Sequence, residues 1–598
     1  MTSFPCAAHL LSLSLLALSH FFGTASCASA AQWRSRSIYQ VLTDRFVHED
    51  GSDNSTSIPC AVEQGLYCGG QWSGIKSRLD YIQGMGFDAV WISPITAQLP
   101  QRTGDGEAYT GYWQQDLYAL NSKFGTAEEL KDLIGEMHSR SMYIMLDLVV
   151  NHFGYAGPGW DVDYSVLNPF NDRKYYHNYC TVDDPGNATN TEVCWLGDWK
   201  VSLADLRTED ADVQAMFGDW IEQMVANYSI DGLRIDTSIN VEPSFFPGFM
   251  DSAGVFAVGE VMQGDDSLAC KWADAIGSIL NGSIGDLVAT IKSAKANCKD
   301  TTVLGSFSEN HDVPRFANYT DDMALAKNII TYTFLADGIP IIYQGQEQHM
   351  NGGISPYMNR APLWKTGYDT TAPLYQHIAT LNTFRQHVIK QSANYTTFVN
   401  EVIYQDLHSL GMRKGPTGEQ VITVLNNNGV TAAYFLLEMT GHGFKPGTHL
   451  TEIQTCASIT INETGFLNVP MFAGTPKILY PTDLLHNSTL CNSSTSKPSD
   501  PSPSSTTLTE TKSTTVNGRP TVVVSTAIVV PIPATTTAGG EPQSTAGSAG
   551  PAHSHLALGV APALHEPNLP LMVSAAMAAT VASAGFLAGA ELLGQGGA

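Results

Sequence analysis

Short apolar strand segments alternate with amphipathic helical stretches along most of the first 390 or so residues, and this alternation constrains the fold more than any other feature. Candidate strands are Asp88–Ile92, Tyr143–Val150, Gly232–Ile235, Val255–Val258 and Ile339–Tyr343. Ala127–Arg140, Ala211–Tyr228 and Ala324–Leu335 carry apolar residues at helical spacing between them. Strands that are apolar on both faces need cover on both faces, so they belong to a parallel sheet flanked by helices. Over roughly 350 residues of such repetition a closed barrel is the economical solution. The expected class is therefore α/β. A (β/α)8 TIM barrel over 31–392 carries a small domain inserted after its third strand, at about 152–207. A C-terminal antiparallel β domain, a β-sandwich, follows over 393–491, where turn residues such as Asn426–Gly429 and Lys445–Gly447 punctuate a β-rich pattern.

The two ends read differently. Leu10–Phe22 is an apolar run too short to span a bilayer, followed by the small-residue pattern Ala28-Ser29-Ala30, so 1–30 is expected to be a secretory signal peptide. Residues 492–550 are rich in Ser, Thr and Pro, with Val522–Val524 and Ile528–Val530 as apolar exceptions, and read as an extended stalk. Residues 551–598 include the uncharged run Leu569–Ala590. This resembles a glycosylphosphatidylinositol attachment signal, with a transmembrane tail as the alternative; either keeps the protein at the cell surface or wall. Sequons at Asn54, Asn187, Asn227, Asn281, Asn318, Asn394, Asn462, Asn487 and Asn492 suit an exported glycoprotein. Eight cysteines beyond the leader argue for disulfides, although 105 pairings are open. The expected set joins sequential neighbours: Cys60–Cys68, Cys180–Cys194, Cys270–Cys298 and Cys456–Cys491. With 31 basic against 57 acidic residues, the net charge of −26 repels phosphate backbones and points to a neutral ligand.

Chemistry concentrates where the candidate strands end. Asp147 and Asn151-His152 follow one strand, Arg234-Ile235-Asp236 ends another, Gly259-Glu260 a third, and Glu309–Asp312 follows Val303-Leu304. A single acid at a strand end is most often a cap or turn residue. Three carboxylates on separate strand ends, each beside Arg or His or after Gly, point instead to a catalytic mouth.

These segments, Asp147–His152, Gly232–Asp236, Gly259–Val261 and Glu309–Asp312, resemble in order the four signature segments of the α-amylase family, glycoside hydrolase family 13. The flanks Trp33–Phe46, Tyr81–Phe87 and Ile339–Glu347 resemble the secreted fungal members, and the likeness runs from about Trp33 to Cys491. The resemblance implies retaining cleavage, with Asp236 as nucleophile, Glu260 as general acid/base and Asp312 holding sugar hydroxyls and helping to keep Glu260 protonated. It implies that Arg234 keeps Asp236 ionised, that His152 and His311 donate to the sugar, and that Tyr112 stacks on it with Trp113 nearby. Arg360 belongs to the same substrate site. Asn151, Glu192, Asp205 and the backbone carbonyl of Asn240 match the family's Ca²⁺ site, an all-oxygen set that suits a hard cation.

The sequence departs from that pattern in four places. Ile239-Asn240 stands for Lys-His after the nucleophile, Thr110 for His before the stacking tyrosine, and Ser355 for Asp near Arg360. The Cys270–Cys298 interval is also short, as though the sixth barrel strand and part of its helix were missing. The expected function is cleavage of internal α-1,4-glucosidic bonds in starch-like α-glucan by a surface-anchored monomer. The alternatives are a 4-α-glucanotransferase acting on wall glucan, or a non-catalytic glucan-binding surface protein. Maltooligosaccharides are the implied small ligands and nucleic acid is no partner.

Overall fold

The computed structural model describes residues 28–48, 60–184, 186–261, 266–276, 279–280, 287–486, 488–491, 506–516 and 519–529. Most of the leader, the whole C-terminal tail and the sequons at Asn54, Asn281, Asn487 and Asn492 lie outside these residues. Two compact units are present, and the larger holds everything described up to Leu490.

Its centre is a closed parallel barrel. The eight strands are β1 (Ile38–Val41), β2 (Ala89–Ile92), β3 (Tyr143–Val149), β4 (Gly232–Asp236), β5 (Phe256–Glu260), β6 (Ile279–Leu280), β7 (Gly305–Ser306) and β8 (Ile339–Tyr343). Each pairs in parallel with its chain neighbours, and β1 closes the ring on β8 through Ile38↔Ile341. The sixth strand is therefore not missing. It is cut to two residues that still bridge Gly259 of β5 and Gly305 of β7. Closure survives because the ladder needs only a few paired backbone groups there, and the flanking helices Asp266–Ile276 and Leu287–Asn297 are tied by the Cys270–Cys298 disulfide.

The barrel interior is filled, as alternating inward residues of a tapering sheet must be. Ile38, Ala89, Trp91, Met145, Phe256, Val258, Ile339 and Ile341 pack with Trp33, which closes the end where the strands begin. A Cβ on Gly232 would sit 2.6 Å from the Trp33 ring, so glycine there is a requirement of that plug. A larger cluster lies between the strands and the outer helices, whose apolar faces turn inward.

The inserted domain contains a three-stranded sheet in which His152–Tyr155 pairs with Ser202–Asp205. The Cys180–Cys194 disulfide staples it, and Cys60–Cys68 closes the loop before the first helix of the barrel. Cys456 and Cys491 are disulfide-bonded as well. The β domain is a six-stranded antiparallel sheet running from Glu401 to Pro481, with Phe435–Met439 and Leu467–Met471 forming a second, two-stranded layer over the core of Ile422, Val424, Leu437, Val469 and Leu479.

The smaller unit spans Cys491–Pro567. Most of the expected stalk over 492–550 lies outside the described residues. Thr506–Val516 and Arg519–Val529 pair as a long antiparallel hairpin. The run Val522–Val524, which stood out as an exception, lies in the second of these strands, and its β-branched residues favour a pleated strand. Among the described residues no helix is long and apolar enough to cross a membrane.

Candidate active site

The site lies where β3, β4 and β5 end. In the parallel register Gly259 stands beside Ile235, which puts Glu260 next to Asp236 on neighbouring strands about 4.8 Å apart. Asp147 faces Arg234 across the β3–β4 pair. One guanidinium then joins the three acids. Arg234 Nη1 donates to Asp236 Oδ1 at 2.7 Å and to Asp147 Oδ1 at 2.9 Å, while Nη2 lies 2.9 Å from Glu260 Oε2.

Local geometry fixes this arrangement. Thr237, directly after Asp236, adopts φ 44°, a left-handed conformation that a β-branched residue reaches only under strain. The turn directs its N–H to Glu260 Oε2 at 3.0 Å. Gly259 allows the approach: a Cβ there would meet Ile276 Cδ1 at 2.3 Å and Ser238 Oγ at 2.8 Å. Glycine before the acid is thus a packing necessity.

Burial and neighbouring charge raise the proton affinity of two of these carboxylates, Asp236 and Asp147. Burial pushes the Asp236 carboxyl well above its usual range, the charges of Glu260 and Asp147 add to the rise, and Arg234 opposes it. Asp147, pushed up to about 6 by burial against the pull of Arg234, completes the cluster. It also accepts from Tyr112 Oη at 2.8 Å and Trp91 Nε1 at 2.9 Å. Arg234, expected to keep Asp236 ionised, is outweighed there by burial and the neighbouring acids.

Asp312 is placed by different means. β7 ends at Ser306, and Asp312 lies on the loop beyond it. Arg360 Nη2 donates to its Oδ1 at 3.0 Å, and Asn310 Oδ1 accepts its backbone N–H at 2.8 Å. Gln40 Nε2 donates to His311 Nδ1 at 2.9 Å, which leaves the proton on Nε2. That Nε2 is buried, lies 3.1 Å from Asp312 Oδ2 but out of line for a hydrogen bond, and has no other partner. It is a donor awaiting an acceptor. Burial drives His311 well below the usual histidine range, so the ring is neutral. The Tyr112 ring lies parallel to it, with centroids 5.3 Å apart. His152, lowered to about 4 by burial, points Nε2 to the Tyr112 carbonyl at 3.1 Å and so fixes that tyrosine's backbone.

Most of the expected residues converge: Asp236, Glu260 and Arg234 in one cluster, and Asp312, His311, Arg360 and Tyr112 around it. Trp113 follows Tyr112 in the chain. Its backbone packs on Gly154 of the inserted strand, and its N–H goes to Gln98 at 2.8 Å. Glu309, the first residue of the fourth segment, is structural; it accepts from Phe316 N–H and sits 3.4 Å from Arg315. Asp147, Gln40 and Thr237 had no assigned role. Asp147 was visible as a strand-end acid, but its link to Arg234 depends on strand register, and Gln40 gave no signal.

The expected cation ligands fall at the junction of barrel and inserted domain. The Asn151 carbonyl accepts from Leu206 N–H at 2.9 Å, and the Asn151 amide donates to His152 Nδ1 at 3.2 Å. Asp205, in the strand beside His152, binds His177 through Oδ2 at 2.7 Å, while its buried Oδ1 has no partner. Burial pushes Asp205 up to about 7. Asn240 turns its amide to the Thr191 carbonyl at 2.9 Å, next to Glu192, which burial and Glu242 push up. Among the described residues no three His, Cys, Asp or Glu side chains converge on a metal-sized point; the expected set contains only two acids, the rest being amide and carbonyl oxygens.

Residues 40–251 and 269–372 match the family described as α-amylase, catalytic domain, and residues 402–499 match α-amylase domain C. Alpha-amylase 1 of Lipomyces kononenkoae is 46% identical over 78% of this chain and 76% of its own length. Alpha-amylase 2 of Schwanniomyces occidentalis is 42% identical over 81% of this chain and 99% of its own. The solved structure of an α-amylase from Malbranchea cinnamomea, 45% identical, superposes with a TM-score of 0.74 over 78% of this chain and all of that one. With its paired acids on β4 and β5, its barrel and its β domain, the chain belongs to the α-amylase family and is a glycosidase of that family.

Proposed function

We propose that the protein hydrolyses internal α-1,4-glucosidic bonds of starch-like α-glucan with retention. Asp236 attacks the anomeric carbon and forms the glycosyl–enzyme ester. Glu260 gives its proton to the departing glycosidic oxygen, then takes one from the water that cleaves the ester. The single observation that carries this reading is the shared Arg234 fork, which keeps nucleophile and acid in one side-chain cluster. The unpartnered Nε2–H of His311, with Asp312 and Arg360 beside it, supports a role in holding sugar hydroxyls.

Transfer to a second sugar, the 4-α-glucanotransferase reading, draws support from the acceptor side. Asn240 is spent on the Thr191 carbonyl and Ile239 packs partly against the core, so neither replaces the cation and imidazole of the secreted enzymes. Incubation with maltohexaose separates the two: hydrolysis yields only shorter products, transfer yields longer ones too, and unchanged substrate with folded protein would refute both.

Ca²⁺ fits the junction, where an orphaned, buried Asp205 Oδ1 and the oxygens of Asn151, Glu192 and Asn240 are the chain's candidates to hold it. The ion would supply charge balance and tie the inserted domain to the barrel. A chelator should lower the unfolding midpoint by several degrees, and an unmoved midpoint would refute the site. We also propose retention at the cell surface through the C-terminal segment, on its composition alone. Release of the protein by a phosphatidylinositol-specific phospholipase supports the lipid form; retention supports a spanning tail.

A further inference from the structure

We infer that Trp199, linked toward Tyr357 through Lys200 and Asp105, forms an α-glucan subsite that grips the substrate chain beyond the cleaved ring, on the Asp312 side, and sets the chain length the enzyme prefers. The inference rests on the hydrolytic reading above. A chain of neighbouring residues leads from Asp312 to this indole. Arg360, bound to Asp312, has its guanidinium carbon 5.7 Å from the Tyr357 ring centroid and an Nη1 3.3 Å from Tyr109 Oη. Tyr357 is half-exposed at φ 67°, and its ring edge lies 3.5 Å from where a Cβ on Gly65 would be, at the point where the Asp105 carbonyl also crowds. Asp105 Oδ1 in turn is 2.5 Å from Lys200 Nζ, and that ammonium lies 5.7 Å from the Trp199 ring.

The turn presenting Trp199 is locked. Asp198 Oδ1 accepts from Lys200 N at 2.7 Å and Val201 N at 3.0 Å, and Asp198 Oδ2 sits 3.5 Å from Lys200 Nζ. Lone exposed apolar residues are ordinary on protein surfaces. Trp199 differs in that it is 58% exposed on a turn held by charged and backbone bonds and linked through Lys200 and Asp105 toward Tyr357. An aromatic ring with an ammonium 5.7 Å from its centroid, itself paired with Asp105 and Asp198, matches a glucose unit, which offers an apolar C–H face and a rim of hydroxyls. A neutral glucan also meets no repulsion from a chain of net charge −26.

The test compares kcat/KM for a long maltooligosaccharide and for maltotriose, using the full chain. Trp199→Ala should lower the long-to-short ratio about tenfold, chiefly through KM for the long substrate, and Trp199→Phe should restore most of it. Trp160→Ala removes another indole, 68% exposed and edge-on to Tyr179 in the same domain, and should leave the ratio as it was. An unchanged ratio in Trp199→Ala, or an equal fall on both substrates, overturns the inference while the hydrolytic reading stands. Failure of the unsubstituted protein to cleave either substrate overturns that reading, and the inference with it.

Discussion

The two halves of the barrel hold their acids by different physics. On one side, β3, β4 and β5 run five to seven residues and are fully laddered, so Asp147, Asp236 and Glu260 are placed by backbone register and then joined by Arg234. On the other, β6 and β7 are two residues each, and Asp312 stands on a loop fixed by Arg360 and Asn310. The first arrangement is stiff and dry. The second is half-exposed and rests on side-chain bonds. Register therefore fixes the pair that makes and breaks covalent bonds, and the adjustable half holds the sugar.

The sharpest way to break this comparison is at Arg234. Arg234→Lys keeps a charge but loses the fork, leaving two of three buried carboxylates poorly paired. We expect turnover to fall by at least about a hundredfold and stability by roughly 3 kcal/mol, read by kinetics and denaturant unfolding. Near-normal stability would show that strand register alone holds the cluster. The smaller effect lies across the cleft. Arg360→Ala frees the Asp312 side chain without opening the core, so kcat/KM should fall about tenfold with an unfolding midpoint close to that of the parent. A large loss of stability there would mean that the loop half is as integral to the fold as the laddered half.

The same contrast explains what was legible in the sequence. Strand–helix alternation, the acids at strand ends and the cysteine neighbours are local patterns, and the barrel, Asp236, Glu260 and three of the disulfides follow from them. The two-residue β6 was hidden because so short a ladder leaves no periodicity, and its absence was the natural expectation. Asp147's bond to Arg234 and Gln40's bond to His311 depend on residues 87 and 271 positions away.

The most direct measurement is to trap the covalent intermediate. Glu260→Gln lacks the base that releases the sugar, yet fluoride leaves an α-maltosyl fluoride without a proton from the enzyme, so the ester should accumulate. Mass spectrometry of the digested protein should then find one maltosyl unit on the peptide containing Asp236, released by mild base. A label on another acid, or fluoride released at the enzyme with no adduct at any time point, would contradict the assignment of Asp236 as the nucleophile.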